Sequence, residues 1–545
     1  MLYFLYSNKL PYIMCGIIAV SGVENASYLI YEGLKHLQHR GQESAGILVY
    51  DGQKFKKTIK DGMVQEAISP KDLKSLNGTT GLGHVRYSTS GRKKENGFYD
   101  TEYPRQPIVD KDVAVVHNGT VINYNDLADT LRKRGINITS GADSDTQLLT
   151  RIIGSSDKAS IEDRIKEMLD IVEPTYSMII QHDDTLYICR DKTGNRPLYF
   201  GNIHEGHITA SEERVLKQLG ATNIREVNPG ELIRVSGNQS YSEQISAQNL
   251  QRCMIELIYL ASAGNPEENP PYLFNKDLRK VRKGSGMTLA KEQPADADLV
   301  IGILGSGYYA SLGYSEQSNI PYSKTALIRD PKFQKRIFIE PNEKDRIVGV
   351  YLKFLADSNE IVGKRVVAVD DTIVRLTTSS GLVQKLRLAG VSELHMRIAS
   401  PPISWPCFYG IDFPKKDELI AARLSILEIN QYLALRFFGM EDRREELIGI
   451  VKGNQLSNED IQDIINRSTE RDNYLKREFL QKTNHTVIDA DNIDLKRFSL
   501  GYLSLEGLIE SFDIDPSEYC LACFTGNYKI NPEMIRQKLE IDSIQ

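Results

Sequence analysis

Apolar positions along the chain fall into two textures. From Cys15 to about residue 245 they come in short runs broken by turn residues. Gly16-Ile17-Ile18-Ala19-Val20 is one such run, Ile47-Leu48-Val49-Tyr50 before Asp51-Gly52 is another, and Val115-Val116 leads into His117-Asn118-Gly119. Runs of this length bounded by turn signals predict strands. Ser27 to Leu37 differs: its apolar residues recur at helical spacing and predict a helix. From about residue 250, strand-like and helix-like segments alternate. Asp298 to Leu304 is a buried-strand run ending in Gly305-Ser306-Gly307, before a helix-like stretch. KRVVAV (364–369) is another; it ends at Asp370-Asp371, passes through a loop into the helix SGLVQKLRLAG, and continues into the strand ELHMRIAS. Strand–helix–strand order predicts a parallel sheet, with ligands at the carboxyl ends of its strands.

Length and composition narrow the class. A chain of 545 residues exceeds one ordinary core and predicts two or three domains. Its 41% hydrophobic and 26% charged residues are those of a soluble globular protein. A net charge of −6 argues against a general nucleic-acid binder, and no apolar run is long enough to span a membrane. Six cysteines over this length do not form a secreted disulfide framework. They suit the reducing cytoplasm, where thiolates serve as nucleophiles or metal ligands.

Cys15 is the first chemical candidate. If residues 1–14 are absent from the mature protein, as a cleaved propeptide or because translation starts at Met14, Cys15 is the first residue. Nothing in residues 1–13 reads as folded, which favours the start at Met14. An α-amine titrates at about 7.7–8.0 and can take the thiol proton near neutral pH. Nucleophile and base then share one residue. The plainer alternative is a small cysteine opening a buried strand.

LQHRGQESAG (37–46), GHVRYSTSG (83–91), HNG (117–119), GADSDTQLL (141–149), RDKTGNRPLYFG (190–201) and NPGELIRV (228–235) follow in order. Together they resemble the glutamine-hydrolysing Ntn domain of the amidophosphoribosyltransferase family, related to that of glucosamine-6-phosphate synthase. The resemblance implies an α+β Ntn-hydrolase domain, an αββα sandwich, over residues 15–245. It implies that Cys15 attacks the glutamine side-chain carbonyl, and that Asn118 and the Gly119 amide hold the oxyanion. Arg86 would pair with the substrate α-carboxylate, Asp145 would accept from its ammonium group, and Arg40 would position the Cys15 end. Ser88, Ser90 and Gln147 replace the usual proline, alanine and glutamate without removing a catalytic group. Cys189, in the strand-like LYICR, reads as a buried hydrophobe.

In the second half, Asp370 and Asp371 at a strand end can grip ribose hydroxyls or a Mg²⁺ bridging to pyrophosphate. The loop after them can cradle a phosphate at a helix amino end. The bland alternative is a pair of turn acids. VVAVDDTIVRLTTS (366–379), RIFIEP (336–341) and ASPPISWPCFYGID (399–412) resemble the type I phosphoribosyltransferases, and within them the same family. This implies an α/β phosphoribosyltransferase-like domain over 250–428. It also implies Mg²⁺ at Ser306, Asp370 and Asp371, and phosphoribosyl pyrophosphate contacts from Thr372, Arg375, Thr377 and Thr378. Leu376 stands where the family has glycine, and its branched side chain is expected to crowd the phosphate. Leu304-Gly305 stand where the family has Pro-Asp, and the catalytic loop, IRDPKFQKR (328–336), is one residue longer.

Four cysteines remain. Cys520 and Cys523 form a Cys-x-x-Cys, and with Cys253 and Cys407 they suit zinc or a [4Fe–4S] cluster. QRCMIELIYLA, WPCFYGID and YCLACFTGNY resemble the ligand segments of the family's iron–sulfur subgroup, which implies a [4Fe–4S] cluster pinning the tail, 498–545, to the transferase domain. The charged stretch 436–496 has no counterpart in the resemblance and predicts a solvated helical insertion.

The family reading implies a glutamine-dependent amidotransferase of the cytoplasm. Ammonia freed from glutamine would pass internally to phosphoribosyl pyrophosphate, giving 5-phosphoribosylamine, the first step of purine synthesis. It also implies a homo-oligomer inhibited by purine nucleotides, with no nucleic-acid or membrane partner. Two alternatives keep part of it. One is a glutaminase with a different acceptor; the other is a non-catalytic phosphoribosyl or nucleotide sensor in the second domain.

Overall fold

A computed structural model describes residues 13–88, 104–138, 144–246, 249–264, 269–303, 305, 307–329, 354–411, 413, 415–440, 444–457, 459–460, 463 and 495–544. The strand Ile13–Ser21 lies inside a seven-stranded antiparallel sheet, between Thr80–Ser88 and Gly206–Ala210. Successive side chains on a strand point to opposite faces. Ile17 and Ala19 accordingly enter one core cluster, and Ile18 and Val20 another. Both faces are covered, so the sequence here is continuously apolar instead of alternating.

A six-stranded sheet stacks on the first, and the strand Val113–Gly119 repeats the same logic. Ala114 and Val116 meet Ile17 and Ala19 between the sheets. Val113 and Val115 pack under the helices Tyr124–Lys133, Asp145–Gly154 and Ile161–Ile171. The helix Ala26–His36, expected at 27–37, covers the outer face of the first sheet with Ile30 and Leu34. The layers are therefore helix, sheet, sheet, helix.

The second half is a four-stranded parallel sheet in the order Leu299–Gly302, Arg365–Asp370, Glu393–Ile398, Phe498–Tyr502. Val366 and Ala368 face a core shared with the helices Thr377–Leu388 and Ile426–Phe437. Val367 and Val369 face the other way, toward the helices Leu278–Glu292 and Tyr308–Ser318. The tail does more than dock on this sheet, because Phe498–Tyr502 is its fourth strand.

The charged stretch expected at 436–496 begins inside the fold. Arg436 is fully buried and donates to Ser380 Oγ (2.8 Å) and Gln384 Oε1 (2.7 Å). Leu447, Ile448 and Val451 of the helix Arg444–Val451 join the core below. Residues 464–494 of the stretch lie outside the described residues. Among the described residues no helix is long and apolar enough to cross a membrane.

Candidate active sites

The first site forms where the two sheets face each other. Cys15 pairs with Arg86, which pairs on its other side with Ser44. Strand parity puts Cys15 on the face of Ile17 and Ala19, and Arg86 on the face of Leu82, both between the sheets. Asn118 reaches the same space from the second sheet, on the face of Ala114 and Val116. The main-chain N–H of Cys15 donates to Asn118 Oδ1 at 3.4 Å. Asn118 Nδ2 is buried and has no partner among the described residues. Such an orphaned donor costs about 1–3 kcal/mol, so its retention points to a ligand atom that it serves.

Gly119 has φ +142°, and a Cβ there would stand 2.2 Å from Thr175 O and 2.8 Å from Tyr176 Cα. No other residue fits that turn. Asp145 opens the helix Asp145–Gly154, where Ser144 and Gln147 form a reciprocal capping box. The glutamine that replaces the family's glutamate thus completes the cap. Asp145 Oδ1 lies 3.8 Å from His117 Nδ1, and Arg86 Nε lies 3.4 Å from Glu43 Oε2.

Arg40 sits in a buried ion network. Its guanidinium donates to Glu212 Oε1 and, at 2.8 Å, to Glu256 Oε2, while Arg196 donates to Glu256 Oε1 at 3.2 Å. Burial opposes ionisation of Glu212, but the charges of His39 and Arg40 prevail and hold its carboxyl well below the usual carboxylate range. Arg40 meets the Cys15 strand through its own Cβ, which would lie 3.4 Å from a Cβ at Gly16. Burial, then the Arg86 charge and His117, push the His84 imidazole down to about 3, so it is neutral at pH 7.

The second site is the carboxyl edge of the parallel sheet. Asp370 ends its strand, and both Asp370 and Asp371 are nearly buried. Asp371 N donates to Asp370 Oδ1 (2.9 Å), and Thr372 Oγ1 donates to Asp371 Oδ1 (2.8 Å). Gly307 lies against this strand end: a Cβ there would meet Val369 O at 2.8 Å and Asp370 Cα at 3.2 Å. Thr377 and Thr378 open the helix Thr377–Leu388. Arg375 donates to Glu418 Oε2 at 2.6 Å.

Leu376 caps that helix with φ 63° and ψ −20°. Its backbone thus takes the left-handed form glycine would take, at a cost of about 1–2 kcal/mol. Its side chain is 2% exposed and packs with Ile373, Leu382 and Val383. The expected crowding of the phosphate loop is therefore not what the structure displays: the branch lies in the core. Leu304, Ser306, residues 336–341 and most of 328–336 lie outside the described residues.

The remaining cysteines converge. Cys253, Cys407, Cys520 and Cys523 line one cavity together with Tyr409, Phe413 and Tyr528. Cys253 stands directly opposite Cys520 in the two-stranded parallel ladder of Arg252–Cys253 and Tyr519–Cys520. Burial pushes the Cys253 thiol up to about 11, and it also raises Cys407, Cys520 and Cys523. Among the described residues no three His, Cys, Asp or Glu side chains are grouped tightly enough to hold a single metal ion. Cys189 is buried in the strand Thr185–Arg190, outside this cavity.

A family model for a glutamine amidotransferase domain matches residues 94–218. The amidophosphoribosyltransferase of Methanocaldococcus jannaschii is 34% identical over 549 residues, covering 96% of this chain and 99% of that protein. The chain belongs to the amidophosphoribosyltransferase family. It is thus an enzyme, a glutamine-dependent transferase.

The Bacillus subtilis amidophosphoribosyltransferase is 36% identical over 449 residues, 81% of this chain and 89% of that one. A solved glutamine phosphoribosylpyrophosphate amidotransferase from B. subtilis, complexed with ADP and GMP, superposes with a TM-score of 0.72. It is 32% identical and covers 94% of this chain and 97% of its own. A structure described as the allosteric regulatory enzyme of purine biosynthesis gives 0.74 at 32% identity, over 95% and 97%. The expected fold, an Ntn glutaminase followed by an α/β transferase, is that of this amidophosphoribosyltransferase. Glu212, Glu256 and Arg196 carry no local motif of their own and meet Arg40 or one another only in the fold. The one signal available was an acid inside the otherwise apolar MIELIYL.

Proposed function

We propose that this amidophosphoribosyltransferase hydrolyses glutamine at Cys15 and delivers the ammonia to phosphoribosyl pyrophosphate, making 5-phosphoribosylamine and pyrophosphate at the entry to purine synthesis. The observation that carries the first step is the contact between Cys15 N and Asn118 Oδ1, with Asn118 Nδ2 unpartnered among the described residues. With Cys15 first in the chain, its α-amine takes the thiol proton and the sulfur attacks the amide carbon. The oxyanion forms beside Asn118 Nδ2 and the Gly119 N–H. The α-amine returns the proton to the departing ammonia, and water then releases glutamate from the thioester. Arg86 and Asp145 hold the ends of the amino acid, and Arg40 braces the strand behind Gly16.

Ammonia then reaches the carboxyl edge of the parallel sheet and displaces pyrophosphate from C1. Asp370 and Asp371 orient the ribose, while Thr372, Thr377 and Thr378 with the helix amino end receive the 5-phosphate. Two adjacent carboxylates are hard oxygen donors that fit Mg²⁺, with Ser306 as third ligand; bound there, the ion neutralises pyrophosphate charge. Arg375 borders this loop through Glu418.

The cysteine cavity fits a [4Fe–4S] cluster. Four thiols lining one cavity are the ligand type and number that such a cluster takes. Its contribution is structural, joining residues 253, 407 and the tail. We further assign the glutaminase to 15–245 and the transferase to 250–428 with the strand Phe498–Tyr502. We also assign purine-nucleotide inhibition, a reading supported by a relative solved in complex with ADP and GMP, together with a homo-oligomeric state and a cytoplasmic location.

The test is pyrophosphate release from phosphoribosyl pyrophosphate with Mg²⁺, driven by ammonia and separately by glutamine. Both are expected. Glutamate release without pyrophosphate would replace the acceptor, and tight binding of phosphoribosyl pyrophosphate without turnover would make the second domain a sensor.

A further inference from the structure

The turn that carries the oxyanion donors is held from the other half of the chain. After Asn118-Gly119, Thr120 exchanges both main-chain hydrogen bonds with Thr175, each 2.8 Å. The Thr175 hydroxyl, fully buried, donates to the carbonyl of Tyr409 at 2.8 Å. The same carbonyl accepts from Arg196 Nη2 at 2.6 Å, and Arg196 is itself fully buried and paired with Glu256. Gly410, with φ +100°, lies against the turn: a Cβ there would meet Thr120 Oγ1 at 3.1 Å and Gly119 C at 3.2 Å. Tyr409 is fixed in turn. Its N–H donates to Cys407 Sγ (3.4 Å) and its hydroxyl to Ile530 O (2.7 Å), at the cysteine cavity.

We propose that Thr175 and the Tyr409–Gly410 segment are positioning groups for glutamine hydrolysis: the transferase half, through one carbonyl, sets the Asn118–Gly119–Thr120 turn at the angle that aims its donors. The inference rests on the glutaminase reading above. Arg86 and Asp145 lie outside this contact, so loss of it moves the oxyanion donors and leaves the amino-acid grip in place.

The experiment measures glutamate release by full-length enzyme as kcat and KM, with ammonia-driven pyrophosphate release as the control for folding. Thr175→Val removes the hydroxyl at nearly constant shape. Roughly a tenfold or greater fall in kcat is expected, since losing an oxyanion donor outright costs about 10²–10³. KM is expected within about twofold, and the ammonia-driven rate unchanged. Thr175→Ser, which keeps the hydroxyl, restores kcat. Gly410→Ala, pressing on the turn from the other side, lowers kcat in the same way. Wild-type kcat in both Thr175→Val and Gly410→Ala overturns the proposal, as does equal impairment in Thr175→Ser and Thr175→Val, or a parallel loss of the ammonia-driven rate. If the wild type itself releases no glutamate from glutamine, the glutaminase reading falls and this inference with it.

Discussion

The main-chain nitrogen of Cys15 and the side-chain carbonyl of Asn118 meet at 3.4 Å across the interface between the two sheets. Each residue is placed by its own strand, so sheet packing sets the distance between the proposed nucleophile and the proposed oxyanion donors. The atom that donates here as an amide is the atom that becomes the α-amine when the chain starts at Cys15. The contact with Asn118 can then persist while the nitrogen gains a basic lone pair.

Active enzyme should therefore begin at Cys15, and intact-mass measurement decides it. Cys15→Ala should abolish glutamate release and leave ammonia-driven pyrophosphate release intact. Asn118→Ala should lower glutaminase kcat by about 10²–10³, the usual cost of one oxyanion donor. Full glutaminase activity in protein still carrying residues 1–14 would refute the N-terminal nucleophile.

His84 gives the fold a pH dependence whose sign follows from burial. The folded protein holds this imidazole at about 3, against 6.5 when exposed. Between those values the unfolded chain binds a proton that the folded one refuses. Stability then rises with pH in this window and is lost as pH falls from 6.5 toward 3, by up to about 1.4 kcal/mol per unit. His84→Leu should flatten the Tm profile between pH 7 and 5. His117, His207 and His395 shift in the same direction and remain in the variant, so the difference between curves isolates His84. Parallel curves would show that His84 protonates freely in the folded state.

Much of this architecture was legible because it is written in local pattern. Continuous apolar runs marked strands buried on both faces, as in Ile17 to Val20. The acids Asp370 and Asp371 lie at the carboxyl end of a parallel strand, where the pattern put them. What stayed illegible is non-local. Glu256 reads as one acid in an apolar segment, and only the fold brings it to Arg40 and Arg196 from more than fifty residues away. Arg436 looks like the start of a solvated stretch, yet Ser380 and Gln384 take it into the core. Leu376 misled for a different reason: residue type predicts what a side chain prefers, while the surrounding core decides where it goes.

The cysteine cavity makes a compositional prediction. Protein purified without oxygen should be brown and carry about four irons per chain, one for each thiolate ligand. Cys520→Ser should lose the colour. It should also loosen the tail, because Cys520 stands opposite Cys253 in the ladder that ties residue 519 to residue 252. Increased proteolysis of the chain after residue 515 would report that loosening. A colourless wild type with one zinc would refute the cluster.

Leu376 separates stability from affinity. Leu376→Gly relieves a left-handed backbone worth about 1–2 kcal/mol. It also removes a side chain buried among Ile373, Leu382 and Val383, and truncating a buried leucine costs about 2–5 kcal/mol. The lost packing outweighs the relieved strain, so Tm should fall. The backbone already has the angle glycine would adopt, and the branch lies in the core, so the phosphate loop gains little. Calorimetric affinity for phosphoribosyl pyrophosphate with Mg²⁺ should therefore stay within about threefold of wild type. Asp370→Asn, which removes a carboxylate charge at the strand end, should abolish binding. A tenfold gain in affinity in Leu376→Gly would mean that leucine does press on the phosphate in solution, and that the loop moves when ligand arrives.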